Sequence, residues 1–351
     1  MTSMVERILA FAFAAHVAVA QAEDSAALFD AREPLAVTFE GPLGAVARDT
    51  KADPPYRDFA LVWTNDAGTA VRVPLKAKPR GNSRRRQTAC HFPPLRLNFA
   101  KNGPAGTPFA GLDKAKLVTQ CGRLGDPDPA YARRVRLELL LYRAFNRVSP
   151  KSFRVRELTV TYVDTDHGGK RSVEPAFLIE PDEMLAARLG MKRIDVDAIE
   201  RQQLDGAQAG LVEMFEYMAG NTDFSLTRGP AGDRCCHNVV LLAGGSEAVT
   251  PVPYDFDSTG VVDPPYALPA SGLGIQNVRQ RLYRGYCRPA AELAATVAAF
   301  DAARDDIYVL FRNDPVLDAK TIERTVAYLD EFYAVIDDPK ELQRKVASHC
   351  L

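Results

Sequence analysis

The 351-residue chain is poor in the motifs that most readily announce a chemistry. It has no G-x-S-x-G elbow, no H-E-x-x-H and no Walker loop, which removes the hydrolase-elbow, zincin and P-loop templates. Its five histidines, His16, His91, His167, His237 and His349, are scattered, so a Ser–His or Cys–His dyad depends on folding to unite its parts. Net charge is also lacking: 44 Lys and Arg against 45 Asp and Glu leave −1, so no global field draws the chain to nucleic acid or to an anionic membrane. No internal repeat, low-complexity block or flexible linker interrupts it, and beyond the first residues no apolar run is long enough to span a bilayer.

What is present is ordinary for a globular protein, with 46% hydrophobic and 25% charged residues. The length exceeds the usual single domain, so two lobes or two modest domains are expected. Residues 1–22 read as an export signal: Arg7 supplies the charge, residues 8–20 are apolar, and Ala20-Gln21-Ala22 offers small residues for cleavage after Ala22, or after Ala20 as second choice. The competing reading is an amphipathic first helix. An export signal places the mature protein in the periplasm or medium, and six cysteines suit that oxidising setting. Cys90 is expected to pair with Cys121. Cys235 and Cys236, being adjacent, are each expected to bridge elsewhere, with Cys287 and Cys350 completing the four. A zinc site using His237 beside that pair is the rival, but C-x-x-C spacing is missing.

Strand-like alternation marks residues 34–40, 59–64, 70–78, 95–99, 115–121 and 153–163, with Asn65-Asp66-Ala67-Gly68 as a hairpin turn. Residues 129–148 change to helical spacing. A short strand over 175–180 ends in Glu180, and a helix follows over 181–189. Helices are expected over 197–219, 276–286, 289–312, 318–336 and 339–348, with a Pro/Gly-rich loop between 257 and 274. The plan is α+β: a β-rich N-terminal lobe over 23–190 with one long helix, then a mainly helical C-terminal lobe over 191–351 containing one small hairpin, the site lying at their junction.

Residues 221–257 gather oxygen ligands at the ends of two apolar segments: Asn221 and Asp223, then Asn238, then Asp255 and Asp257. Such a set suits a hard divalent cation such as Mg²⁺ or Ca²⁺. In Asp255-Phe256-Asp257 the strand alternation puts two carboxylates on one face, where they repel unless solvated or bridged by a cation. The plainer alternative is capping and turn chemistry. Upstream, residues 76–86 hold six basic residues in eleven positions, and Gly81 and Ser83 would let backbone amides approach a phosphate that Arg80 and its neighbours neutralise. The alternative there is a solvated basic loop. Nucleic acid is disfavoured, since no aromatics are interleaved.

The order of these pieces resembles the spore-coat CotH-type kinases, an atypical branch of the protein-kinase-like fold. The matching segments are Arg80-Gly81-Asn82-Ser83, residues 95–99, 177–180, Asn221-Thr222-Asp223, His237-Asn238 and Tyr254-Asp255-Phe256-Asp257. Residues 92–99 and Tyr162-Val163-Asp164-Thr165-Asp166 also resemble segments of a group of exported bacterial proteins of unassigned function. The resemblance implies a two-lobed kinase-like fold, with Asp223 as the catalytic carboxylate that orients an accepting hydroxyl. It further implies Asn238 and Asp255, with Asp257, as Mg²⁺ ligands, and Arg96 holding the phosphates of ATP with Glu180 as its acidic partner. The implied acceptor is a protein or an envelope polymer. Alternatives from other classes are a non-catalytic envelope-binding protein and a metal-dependent phosphoester hydrolase.

Overall fold

The computed structural model describes residues 28–81, 84–85, 90–100, 103–125 and 128–351. The expected export signal lies outside the described residues, as do Asn82 and Ser83 of the basic loop. The chain divides into two units with interleaved boundaries. One is drawn from Met1–Ala132 and Val155–Pro181, the other from Arg133–Arg154 and Asp182–Leu351.

The first unit is built on seven strands: β1 (Leu35–Gly41), β2 (Arg57–Thr64), β3 (Ala70–Pro79), β4 (Leu95–Phe99), β5 (Lys114–Thr119), β6 (Val155–Asp164) and β7 (Lys170–Ile179). A short helix α1 (Leu43–Ala47) follows β1. Asn65 makes the β2–β3 turn that its sequence promises: its side-chain oxygen accepts from Thr69 N–H at 2.8 Å, and Gly68 takes the left-handed φ of 77°. Period-two patterning then sorts the strands into two faces. On β4, Leu95, Leu97 and Phe99 are buried while Arg96 is exposed. Inside, Phe39 stacks on Phe59 at 4.7 Å and meets Tyr162 edge-on at 6.1 Å, with Phe92 a further 5.3 Å contact to Tyr162. Rings buried to this degree contribute roughly 1.5–3 kcal/mol apiece from area alone.

The expected two-lobed kinase-like fold, with a β-rich N-terminal lobe and a helical C-terminal lobe, is overturned here. The strands close into a barrel in the order β1-β2-β3-β4-β5-β7-β6, and β1 pairs parallel with β6 from Leu35↔Leu158 to Gly41↔Asp164. Alternation in a sequence reveals a half-buried strand but not its partner, and this one parallel pairing turns a meander into a closed mixed barrel.

The second unit holds most of α2 (Pro129–Val148), then α3 (Asp182–Arg188), α4 (Gly206–Ala219), α5 (Ala290–Arg312), α6 (Ala319–Asp337) and α7 (Pro339–Leu342). It also contains an antiparallel sheet ordered β10-β9-β8, formed by β8 (Lys192–Ile194), β9 (Val239–Ala243) and β10 (Thr250–Pro253). The single hairpin expected there is thus three strands. Helix α4 is shorter than the 197–219 expectation because Asp205 caps it, accepting from Gln208 N–H at 3.1 Å, while Leu204 bridges to Val249. Residues 276–286 form no helix. Their arginines turn instead to carbonyls elsewhere: Arg279 to Gly260 and Arg281 to Met218, each at 3.2 Å. Arg281 thereby satisfies an orphan carbonyl at the C-terminus of α4.

An aromatic cluster forms the unit's core. Phe256 lies 4.8 Å from Tyr142 and 5.3 Å from Phe215, which in turn sits 4.8 Å from Phe145. A buried ion pair, Arg136 to Asp314 at 2.6 Å, ties α2 to the turn ahead of α6. Disulfides join Cys90 to Cys121, as expected, and Cys287 to Cys350. The expectation that Cys235 and Cys236 reach elsewhere is corrected, since they bridge each other. Among the described residues no helix is long and apolar enough to cross a membrane.

Candidate functional site

The site in the second unit starts where α4 stops. Gly220 adopts φ 73° and Asn221 N–H returns to the Glu216 carbonyl at 2.8 Å, a Schellman-type ending. A Cβ at Gly220 would meet Tyr328 Oη at 2.1 Å, so both space and φ demand glycine. Asn221 then works in two directions. Its amide donates to Glu216 Oε2 at 2.8 Å, and its oxygen accepts from Asp223 N–H at 2.9 Å. The Asx turn so formed sets where Asp223 stands.

Two backbone pairings bring the remaining residues to it. Ser225 and His237 exchange hydrogen bonds of 3.0 and 3.2 Å, and Asn238 accepts from Tyr254 N–H at 3.0 Å. Because Val239 pairs with Pro253, Asn238 and Tyr254 are the two free ends of the β9–β10 hairpin. His237 Nε2 lies 2.7 Å from Asp223 Oδ1, and Asn238 Nδ2 donates to the Asp223 carbonyl at 2.7 Å and to its Oδ2 at 3.3 Å. Asp255 N–H donates to Tyr142 Oη at 2.8 Å.

Asn238 and Asp255 share a conformational oddity: their φ angles are 55° and 68°, in the left-handed region that non-glycine residues seldom enter. Positions of this kind are held only where the surroundings over-determine them, and they concentrate at functional sites. The left-handed turn at Asp255 also ends the alternation on which the shared carboxylate face rested, since β10 stops at Pro253. Asp257 is buried, and its Oδ2 accepts from Tyr266 Oη at 3.0 Å.

Charge is arranged around Asp223. The hydrogen bond to Asp223 holds the His237 imidazole above the usual histidine range, with burial opposing it and the charges of Asp223, Asp255 and Asp233 reinforcing it. Glu216 is fully buried, and burial pushes its carboxyl up to about 8 against the hydrogen bond from Asn221. Arg284 donates to the carbonyls of Thr222 and of Phe224, the latter at 3.3 Å, so the residues on both sides of Asp223 are tied to one guanidinium.

The structure therefore gathers Asp223, Asn238 and Asp255 with His237. Sequence reading had offered His237 as the ligand of a rival zinc site and in the His237-Asn238 segment, not as a partner of Asp223. Glu216 and Arg284 were missed. A glutamate one turn from the end of a largely apolar helix was the available signal for the first; nothing local marks the second.

The other expected site residues belong to the first unit. Arg96 is exposed on β4, opposite Lys78 on one side and Lys116 on the other. Glu180, just past β7, is 2% exposed. Gly81 has φ 88°, Arg80 N–H donates to the Pro94 carbonyl at 2.8 Å, and Arg85 fastens the loop to the carbonyls of Gly81, Lys51 and Ala52.

Whether the residues present suit a metal can be judged from their donors. Among the described residues no three His, Cys, Asp or Glu side chains converge as a metal-binding group, which disfavours a protein-only cage for Zn²⁺ or Ca²⁺. Two carboxylates and an amide oxygen do suit Mg²⁺, which takes one or two carboxylates and completes its shell with water and substrate phosphate. No protein-family model and no curated protein matches the chain.

Proposed function

We propose that the second unit binds Mg²⁺ together with a phosphate ester at Asp223, Asn238 and Asp255, and transfers the phosphoryl group to a hydroxyl on a protein or an envelope polymer. The observation that carries this reading is the meeting of two left-handed, oxygen-bearing residues, Asn238 and Asp255, at the ends of one hairpin whose Asn238 is bonded to Asp223. Phosphoryl transfer asks a protein for positioning and charge more than for covalent chemistry.

In this reading Asp223 accepts the proton of the attacking hydroxyl. Its carboxylate is oriented for the task, one oxygen against His237 and the other against Asn238. His237, whose bond to Asp223 favours its protonated form, faces the developing negative charge. Asn238 and Asp255 hold the cation, and Asp257 supports their loop through Tyr266. Mg²⁺ bound there would spread the charge on the migrating group. Arg284 keeps the Asp223 segment in place.

A second reading, hydrolysis of a phosphoester by water, is favoured by the three disulfides. They fit an oxidising compartment, as an exported protein requires, where a nucleotide donor such as ATP is scarce. The test uses purified protein melted with Mg²⁺, with nucleotide and with both, alongside release and transfer of phosphate from a labelled nucleotide and from a generic phosphoester. Mg²⁺-dependent stabilisation that disappears in Asp255→Ala supports the site. Release to water without transfer selects hydrolysis. A chain that binds neither cation nor ester is a non-catalytic protein, and both enzymatic readings fall.

A further inference from the structure

The Cys235–Cys236 bridge borders the Asp223 group, because His237 follows it directly in the chain. Its cysteines have a sequence separation of 1, against 31 for Cys90–Cys121 and 63 for Cys287–Cys350. A bridge stabilises a fold mainly by restricting the unfolded chain, and more so the longer the loop it closes. The same coupling read in reverse means that the fold holds the two long-range bridges oxidised. A bridge between neighbours closes no loop, so folding adds little to it and it adds little to folding. Stability does not account for it.

The pair is also reachable. Cys235 and Cys236 are half-buried, whereas Cys90 and Cys121 are buried. Cys287 is exposed, but its bridge closes the longest loop of the three. An acceptor for the open form is in place, since Cys236 Sγ lies 3.1 Å from the Leu226 carbonyl oxygen, to which a thiol would donate.

What opening changes follows from how the flanks are fixed. On one side Arg234 donates to Asp197 Oδ1 at 2.9 Å and to the Asp195 carbonyl at 2.7 Å, and Cys235 N–H donates to the Val196 carbonyl at 3.0 Å. On the other, His237 exchanges backbone bonds with Ser225, and Asn238 reaches Asp223. Cys235 and Cys236 are the whole connection between these anchors. Closed, the bridge removes backbone freedom from both residues; open, it returns that freedom to the segment leading into His237.

We propose that Cys235–Cys236 is a reversible redox site for dithiol reductants, and that its opening loosens the pairing of His237 with Ser225. A thiolate of the reductant attacks one sulfur, breaking the S–S bond and forming a mixed disulfide. The reductant's second thiolate attacks that new bond and releases the protein sulfur. Cys235 and Cys236 end as two thiols, with two electrons and two protons gained, and the dithiol ends as its own disulfide.

The experiment equilibrates the folded full chain with mixtures of reduced and oxidised dithiothreitol, then locates thiols by alkylation and peptide mass spectrometry. Thiols at Cys235 and Cys236 are expected first, at a reduced-to-oxidised ratio roughly tenfold or more below that which opens either other bridge. They should vanish when the reductant is removed. In the same samples hydrogen exchange at the Ser225 and His237 amides should rise roughly tenfold or more on opening, while amides of the β6–β7 hairpin stay protected. The parent opens without any substitution, so the test does not depend on a variant folding. Asp255→Ala, which removes the proposed cation site, should respond to dithiol as the parent does, so the two proposals fail separately. Free thiols at Cys235 and Cys236 before any reductant, earlier opening of another bridge, or unchanged exchange at Ser225 and His237 overturns the proposal.

Discussion

His237 Nε2 lies 2.7 Å from Asp223 Oδ1, although fourteen residues separate the two in sequence. The contact couples proton affinity to orientation: the carboxylate raises the imidazole, and the imidazole fixes the carboxylate. Removing the charge in Asp223→Asn should therefore lower the His237 pKa toward the ordinary histidine value. A histidine NMR titration of parent and variant reads this directly, and an unchanged His237 midpoint would show that the pair does not form in solution.

Glu216 gives a pH dependence of stability whose sign is set by its burial. An unfolded glutamate releases its proton near 4.5, whereas the folded carboxyl holds it to about 8. Between these values the native state binds a proton that the unfolded chain has lost, so stability falls as pH rises through the window and levels off above it. The slope from this one group approaches about 1.4 kcal/mol per pH unit at most. Urea unfolding at pH 5, 6.5 and 8 should show the fall in the parent and a flatter profile in Glu216→Gln.

Arg288 and Glu213 form a pair whose side chains are 7% and 0% exposed. Breaking such a pair from one side strands a charge in the core, at about 3–5 kcal/mol, while removing both is far milder. Arg288→Met should thus lose more stability alone than when combined with Glu213→Gln. A double variant whose loss equals the sum of the two single losses would mean the pair is not coupled.

The Cys90–Cys121 bridge closes a loop with a sequence separation of 31. Constraining an unfolded chain over that length contributes roughly 2–4 kcal/mol. Cys90→Ser with Cys121→Ser should lower the denaturant midpoint accordingly, and no change in midpoint would show that this bridge adds nothing.

How far the sequence announced these features depended on whether the signal was local. The β2–β3 hairpin was legible because Asn65 and Gly68 carry turn chemistry in their own side chain and φ. The long helices α5 and α6 were legible because their apolar spacing runs over many turns. Strand β8 was not, since Lys192-Arg193-Ile194 has too few residues for any period and exists by pairing with β9. Residues 276–286 carry helical spacing, yet tertiary bonds from Arg279, Arg281 and Arg284 overrode it. Fold class was misread because the pairing of β1 with β6 leaves no trace in either segment. In the site, Asp223, Asn238 and Asp255 stood out by residue type. The contacts that join them, through Tyr254, Tyr142 and Arg284, arise only on folding.

The ring of strands in the first unit has one more consequence. Among the described residues each of its seven strands has a neighbour on both sides over part of its length, and the longest segments left with one neighbour are short: residues 70–74 of β3 and 170–175 of β7. Both segments carry the charges and prolines that discourage edge-to-edge addition, Arg72 and Pro74 in the first and Lys170, Arg171, Glu174 and Pro175 in the second. Over the fully paired stretch the backbone is closed to a further strand, and what the sheet presents is side chains, with Lys78, Arg96 and Lys116 in register across three strands.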